Sequence, residues 1–186
     1  MPFSIENTEI SGLKVIHPHV FRDQRGYFIK DFDREFFELN GLPTEFGECN
    51  ESESQKGTLR GIHFQTKFPQ GKLIRVSKGR AYYVTIDLRE DSASFGKWKG
   101  FYLSGEEPLV VHIPPRFGHG FLALEDHTVF TYKCTERFAP DYDCGILYND
   151  PELAISWPME GLDEIIISDK DKKQLSFSDY KKTLLP

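Results

Sequence analysis

His63 stands in LRGIHFQ, residues 59 to 65, a segment otherwise written for burial. Gly57 lies six residues before it, and Gln65, Lys72 and Gly79 follow at two, nine and sixteen residues. A second histidine, His119, sits in IPPRFGHGF, residues 113 to 121. A histidine and a lysine that face one pocket make a base and a fixed cation, the pair that proton abstraction beside a carbonyl requires. The remaining histidines, His17, His19, His112 and His127, read as ordinary core or surface residues. Cys49, Cys134 and Cys144 are odd in number and match no zinc spacing, so reduced structural thiols are expected rather than a disulfide framework.

The elements that must position these residues are mostly strands. The chain has 186 residues, enough for one domain with a sizeable core, and its 16 Phe and 8 Tyr suit a β-rich globular protein. In AYYVTIDL, residues 81 to 88, Tyr82, Val84, Ile86 and Leu88 share a dry face while Tyr83, Thr85 and Asp87 share a polar one. Lys78-Gly79-Arg80 reads as a tight turn joining 72 to 78 and 81 to 88 into a hairpin. Further strands are expected at 13 to 20, 26 to 32, 58 to 64, 98 to 103, 109 to 113, 120 to 124, 128 to 134 and 145 to 148. Helices are expected from Arg34 to Asn40, ended by Gly41, and after Ser168, which can cap DKDKKQL. Many short strands with few helices fit an all-β sandwich or barrel, best an antiparallel jelly roll with short flanking helices, filling residues 1 to 186 as one domain.

A net charge of −6 argues against a nucleic-acid or anionic-membrane partner gripped through the overall field, so any anionic ligand must be met by local cations. No apolar run approaches a membrane span and the N-terminus lacks a signal pattern, which points to a soluble cytoplasmic protein.

The Gly57, His63, Gln65, Lys72, Gly79 series resembles the first motif of the cupin jelly rolls, G-x5-H-x-H followed by a glutamate and x6-G. Residues 114 to 119 resemble the second, P-x-G-x2-H, with Arg116 in the glycine's place. In metal-binding cupins these positions converge on one ion. Here they hold two histidines, an amide (Gln65) and an ammonium (Lys72), and a protonated lysine offers no lone pair. An open barrel without metal is expected.

The resemblance narrows further. FRDQRGYF (21 to 28), TLRGIHFQ (58 to 65), QGKLIRV (70 to 76), SFGKW (94 to 98), IPPRFGHGF (113 to 121), TYKC (131 to 134), YNDPELAISWP (148 to 158) and SDKD (168 to 171) run in order over nearly the whole chain. Together they resemble the dTDP-4-dehydrorhamnose 3,5-epimerase family. That resemblance implies a cupin jelly roll, a homodimer, no cofactor, and inversion of a nucleotide-diphosphate 4-keto-6-deoxy sugar at C3 and C5. It makes His63 the base, oriented by Asp171, with Asp169 as the other candidate partner. It makes Tyr132 the acid on the far face of the sugar ring and sets Lys72 beside the keto oxygen. Arg60 and His119 would line the sugar and phosphate site, Asn50, Gln65 and Phe121 would also meet substrate, and Arg25 would reach the substrate region, across the dimer if need be.

Departures from the family pattern gather at positions associated with the nucleotide base. Glu48-Cys49-Asn50 stands where Q-D-N is expected, Lys30 where a glutamate is usual, and Arg137 precedes Phe138. Tyr83 replaces an aspartate expected near His119, and Tyr148 a tryptophan. CDP, GDP and UDP sugars are therefore open beside dTDP, as is epimerisation at C3 or C5 alone. A non-catalytic sugar-nucleotide-binding cupin is disfavoured by the joint presence of an acid and a base, and a metal-dependent cupin by Gln65 and Lys72.

Overall fold

The computed structural model describes residues 3–184. Its strands are β1 (Phe3–Asn7), β2 (Lys14–Pro18), β3 (Val20–Asp23), β4 (Gly26–Ile29), β5 (Glu48–Ser54), β6 (Thr58–Gln65) and β7 (Lys72–Lys78). After these come β8 (Arg80–Asp87), β9 (Trp98–Ser104), β10 (Val110–Ile113), β11 (Phe117–Ala123), β12 (Thr128–Cys134), β13 (Asp143–Gly145) and β14 (Ile166–Ile167). Two short helices, α1 (Arg34–Leu39) and α2 (Phe177–Thr183), flank them.

Two sheets face each other, in orders β1-β2-β10-β7-β12-β5 and β13-β6-β11-β8-β9, with β14 parallel to β6 and β3-β4 standing apart as a two-stranded arm. From β5 onward the chain passes repeatedly from one sheet to the other, the winding of a jelly roll. Apolar residues of both sheets meet between them: Ile74, Val76 and Phe130 from the first, Phe101, Leu103 and Phe121 from the second. Phe121 stacks on Phe130 with centroids 3.9 Å apart.

The expected hairpin of residues 72 to 88 does not form. β7 pairs with β10 and β12, whereas β8 pairs with β11 and β9 in the opposite sheet. Only Gly79 separates the two strands, one residue fewer than a tight hairpin needs, and at φ +73 it turns the chain across the sandwich. The two faces of β8 are also not dry and wet. Val84, Ile86 and Leu88 pack beneath Leu153 and α2, while Tyr83, Thr85 and Asp87 turn inward and are at most 1% exposed.

Helix α1 forms where expected, with Asp33 accepting from the Phe36 N–H. The segment after Ser168 makes only a single 3-10 turn, Asp171–Lys173, and the regular helix starts later, capped by Ser176. Strands β1, β3, β5 and β14 are additions, the expected strand at 13 to 20 ends at Pro18 as β2 with Val20 opening β3, and the one at 145 to 148 lies earlier, as β13. Among the described residues no helix is long and apolar enough to cross a membrane.

Candidate active site

Arg60 and His63 are three residues apart, so a regular strand would send them to opposite faces. The pairing of β6 with β11 prevents this. His63 faces His119 and Arg60 faces Phe121, so three steps on β6 match two on β11 and the register shifts between them. Gly61 makes the bulge possible: its φ is +115, and a Cβ there would sit 2.5 Å from Gly120 Cα and 2.7 Å from the His119 carbonyl oxygen. Arg60, His63 and Gln65 consequently all line one cavity of about 430 Å³ between the sheets.

His63 Nε2 lies 2.7 Å from Asp171 Oδ1, and the Gly61 N–H donates to Asp171 Oδ2 at 3.2 Å. Ser168 Oγ accepts from the Asp171 N–H at 3.1 Å and fixes the turn that carries the carboxylate. Burial works to raise the Asp171 pKa, but the hydrogen bonds from His63 and Gly61 and the histidine's charge outweigh it and hold the carboxyl below its ordinary value. An ionised carboxylate only accepts, so His63 in its neutral form carries the proton on Nε2 and has its lone pair on Nδ1. Asp169 is 90% exposed and pairs with Lys172 instead.

The opposite sheet supplies Tyr132 from β12 and Lys72 from β7. Both line the cavity, with the Lys72 ammonium 5.6 Å from the Tyr132 ring centre. Burial, then the neighbouring Cys134, raises the Tyr132 pKa, so the phenol keeps its proton at neutral pH. His119 is the reverse case: burial, reinforced by Lys72 and His63, pushes it well below its ordinary value and keeps it neutral. Tyr83, at the expected aspartate position, lies with its ring centre 6.0 Å from that of His119, and neither its hydroxyl nor His119 Nδ1 has a partner.

The other expected residues divide. Asn50 lines the cavity but its Nδ2 donates to Glu48 Oε1 at 3.0 Å. Gln65 is turned to backbone: Nε2 donates to the Phe68 and Arg137 carbonyls at 2.7 and 3.3 Å, and Oε1 accepts from the Ala139 N–H at 2.7 Å. Phe121 serves the core as much as the cavity floor. Arg25 does not join them. It sits at the turn of the β3-β4 arm, its side chain 85% exposed and paired with Asp23 at 2.6 Å.

Of the positions named in the departures from the family pattern, Glu48, Asn50, Tyr83 and Phe138 line the cavity. Strand alternation turns Cys49 to the other face of β5, and Lys30 is paired with Asp33. Arg116 and Lys170 were not singled out as ligands, yet both line the cavity and, with Arg60 and Lys72, bring four cations to it. The signal for Arg116 was its glycine position, since its φ is +66. Among the described residues no group of three His, Cys, Asp or Glu side chains converges to hold a metal ion.

The fold and this cavity define a cupin-type jelly-roll protein. A family model described as dTDP-4-dehydrorhamnose 3,5-epimerase matches residues 7–179. The dTDP-4-dehydrorhamnose 3,5-epimerase of Methanothermobacter thermautotrophicus is 46% identical over 170 residues, 91% of this chain and 92% of its own. The crystal structure of dTDP-6-deoxy-D-glucose-3,5-epimerase from Legionella pneumophila, in complex with dTDP-4-keto-L-rhamnose, superposes with a TM-score of 0.92 at 40% identity, covering 99% of this chain and 97% of that one. A 3'-monoepimerase from Streptomyces bikiniensis in complex with dTDP-quinovose gives a TM-score of 0.88 at 28% identity, with 96% and 90% covered. The chain belongs to the dTDP-4-dehydrorhamnose 3,5-epimerase family and is an isomerase of the epimerase class.

Proposed function

We propose that the protein epimerises a dTDP-linked 4-keto-6-deoxyhexose at C3 and C5 without a cofactor, as a single domain within a homodimer. The observation that carries this reading is the placement of the His63–Asp171 pair on one sheet and of Tyr132 and Lys72 on the other, all lining one cavity. The C4 carbonyl acidifies the C3 and C5 hydrogens. His63 Nδ1 takes one proton, the electron pair moves onto the C4 oxygen, and Lys72 holds the enolate's charge. Tyr132 then gives its proton to the opposite face of the same carbon as the carbonyl reforms, which inverts the centre. His63 gives its proton to solvent and the phenolate is reprotonated from solvent, and the second carbon then follows the same course.

The four cavity cations suit a diphosphate, and the relatives' dTDP ligands favour thymidine. With Lys30 and Cys49 turned away from the cavity, little remains to support a changed base. A second copy of the chain would cover the β3-β4 arm, where Phe21, Tyr27 and Phe28 are 55%, 50% and 63% exposed, and would give Arg25 at its tip a site to reach. Three free thiols among the described residues suit a cytoplasmic setting.

Incubating the protein in D2O with dTDP-4-keto-6-deoxy-D-glucose and following the sugar by NMR tests this. Deuterium at C3 and C5 with inversion at both is expected. Label at C3 alone would make the protein a monoepimerase, and no label with any nucleotide 4-keto sugar would remove the enzymatic reading.

A further inference from the structure

Two of the three N–H bonds of Lys72 are directed by the protein: one donates to Gln70 Oε1 at 2.7 Å and another to Cys134 Sγ at 3.4 Å. The third remains for the cavity that the ammonium lines. The Gln70 amide cannot turn over, because its Nε2 donates to the Glu136 carbonyl at 2.7 Å and to Glu48 Oε1 at 3.3 Å. Reversal would set an amide oxygen against two acceptors and an NH2 group against the ammonium. Glu48 is itself held on both oxygens, Oε1 by Asn50 Nδ2 at 3.0 Å and Oε2 by the Phe138 N–H at 3.1 Å. Burial opposes its ionisation, but the hydrogen bonds from Phe138, Asn50 and Gln70, with the charge of Lys72, outweigh burial and keep the carboxyl below its ordinary value.

A carboxylate at position 48 can only accept, so together with the Glu136 carbonyl it dictates which end of Gln70 faces Lys72. A glutamine, the residue that the family pattern leads one to expect there, could also donate, which would leave the Glu136 carbonyl as the one obligate acceptor facing the Gln70 amide.

We infer that Glu48 and Gln70 are positioning residues which aim the Lys72 ammonium at the oxygen that becomes the enolate. The inference rests on the epimerase reading above and adds to it a fixed polarity running from Glu48 through Gln70 to Lys72.

The test compares wild type, E48Q, Q70E and the exchanged pair E48Q/Q70E in deuterium wash-in from D2O, alongside dTDP affinity and Tm. Wash-in by wild type separates the two levels, since its absence would sink the epimerase reading before the inference is reached. E48Q, which removes one of the two obligate acceptors that hold the Gln70 amide, is expected to lose roughly three- to tenfold in kcat with dTDP affinity within about threefold. Q70E, which sets two carboxylates together, should fall at least as far. The exchanged pair again places an acceptor beside Lys72 and a donor facing that acceptor, although its carboxylate meets the Glu136 carbonyl, so it should exceed Q70E, the worse single variant, by about tenfold. Wild-type kcat in E48Q, a loss confined to dTDP affinity, or an exchanged pair no better than the worse single variant would overturn the inference.

Discussion

The imidazole of His63 and the carboxylate of Asp171, 108 residues apart in sequence, are joined at 2.7 Å, and the same carboxylate takes the Gly61 N–H from inside the β6 bulge. One group therefore sets the tautomer of the imidazole and ties down the backbone that presents it.

Asp171→Asn tests the tautomer. An asparagine can turn its NH2 toward Nε2, which moves the histidine's proton to Nδ1 and removes the lone pair from the cavity. Wash-in at both carbons should fall about 10²- to 10⁴-fold, while dTDP affinity measured by calorimetry stays close to that of wild type. An unchanged rate would show that the carboxylate has no part in the chemistry.

Gly61→Ala tests the bulge. A methyl group would meet the β11 backbone at 2.5 to 2.7 Å in a conformation disfavoured for L residues. The variant should lose about 2 kcal/mol or more in denaturant unfolding. Gly41→Ala also has a positive φ, but nothing lies within 4 Å of its added methyl, so it should cost less.

Tyr132→Phe keeps the ring and deletes the hydroxyl proposed as the proton donor. The carbon deeper in the cavity should depend on the phenol more than one that solvent can reach, and we assign the deeper place to C5. The variant should bind dTDP normally, wash deuterium into C3 and yield little C5-inverted sugar. Equal loss at both carbons would make the hydroxyl a holder of the enolate instead.

Stability should report His112, a buried residue outside the cavity whose Nδ1 lies 3.1 Å from the Gly12 carbonyl. Burial lowers its pKa to about 4, against the hydrogen bond to Gly12, which raises it. The unfolded chain, titrating near ~6.5, binds the proton first, so this contribution is whole above pH ~6.5, shrinks as pH falls, and is gone below about 4. The loss should approach about 3 kcal/mol, read from urea midpoints between pH 7 and 4. His112→Asn should flatten that slope, and an unaltered slope would assign the acid sensitivity elsewhere.

The motifs disclosed the jelly roll and the residues the cavity gathers because their spacing encodes strand phase. What they could not disclose was the phase break at Gly61, which is a matter of pairing between strands, or the passage at Gly79 from one sheet to the other. Strand β5 was missed because ECNESES has no apolar face: Glu48, Asn50 and Ser52 line the cavity while Cys49, Glu51 and Glu53 meet solvent. Hydrophobic periodicity is silent where both faces of a strand are polar. The hydrogen-bonding service of Gln65 to residues 137 to 139 was equally hidden, since it depends on a loop more than 70 residues away.

The most direct measurement follows solvent deuterium at C3 and C5 of dTDP-4-keto-6-deoxy-D-glucose with His63→Ala, checked for folding by circular dichroism and for dTDP binding by calorimetry. If His63 is the base for both carbons, label should disappear from C3 and C5 together while fold and binding persist. Label retained at either carbon in a folded, dTDP-binding variant would contradict it.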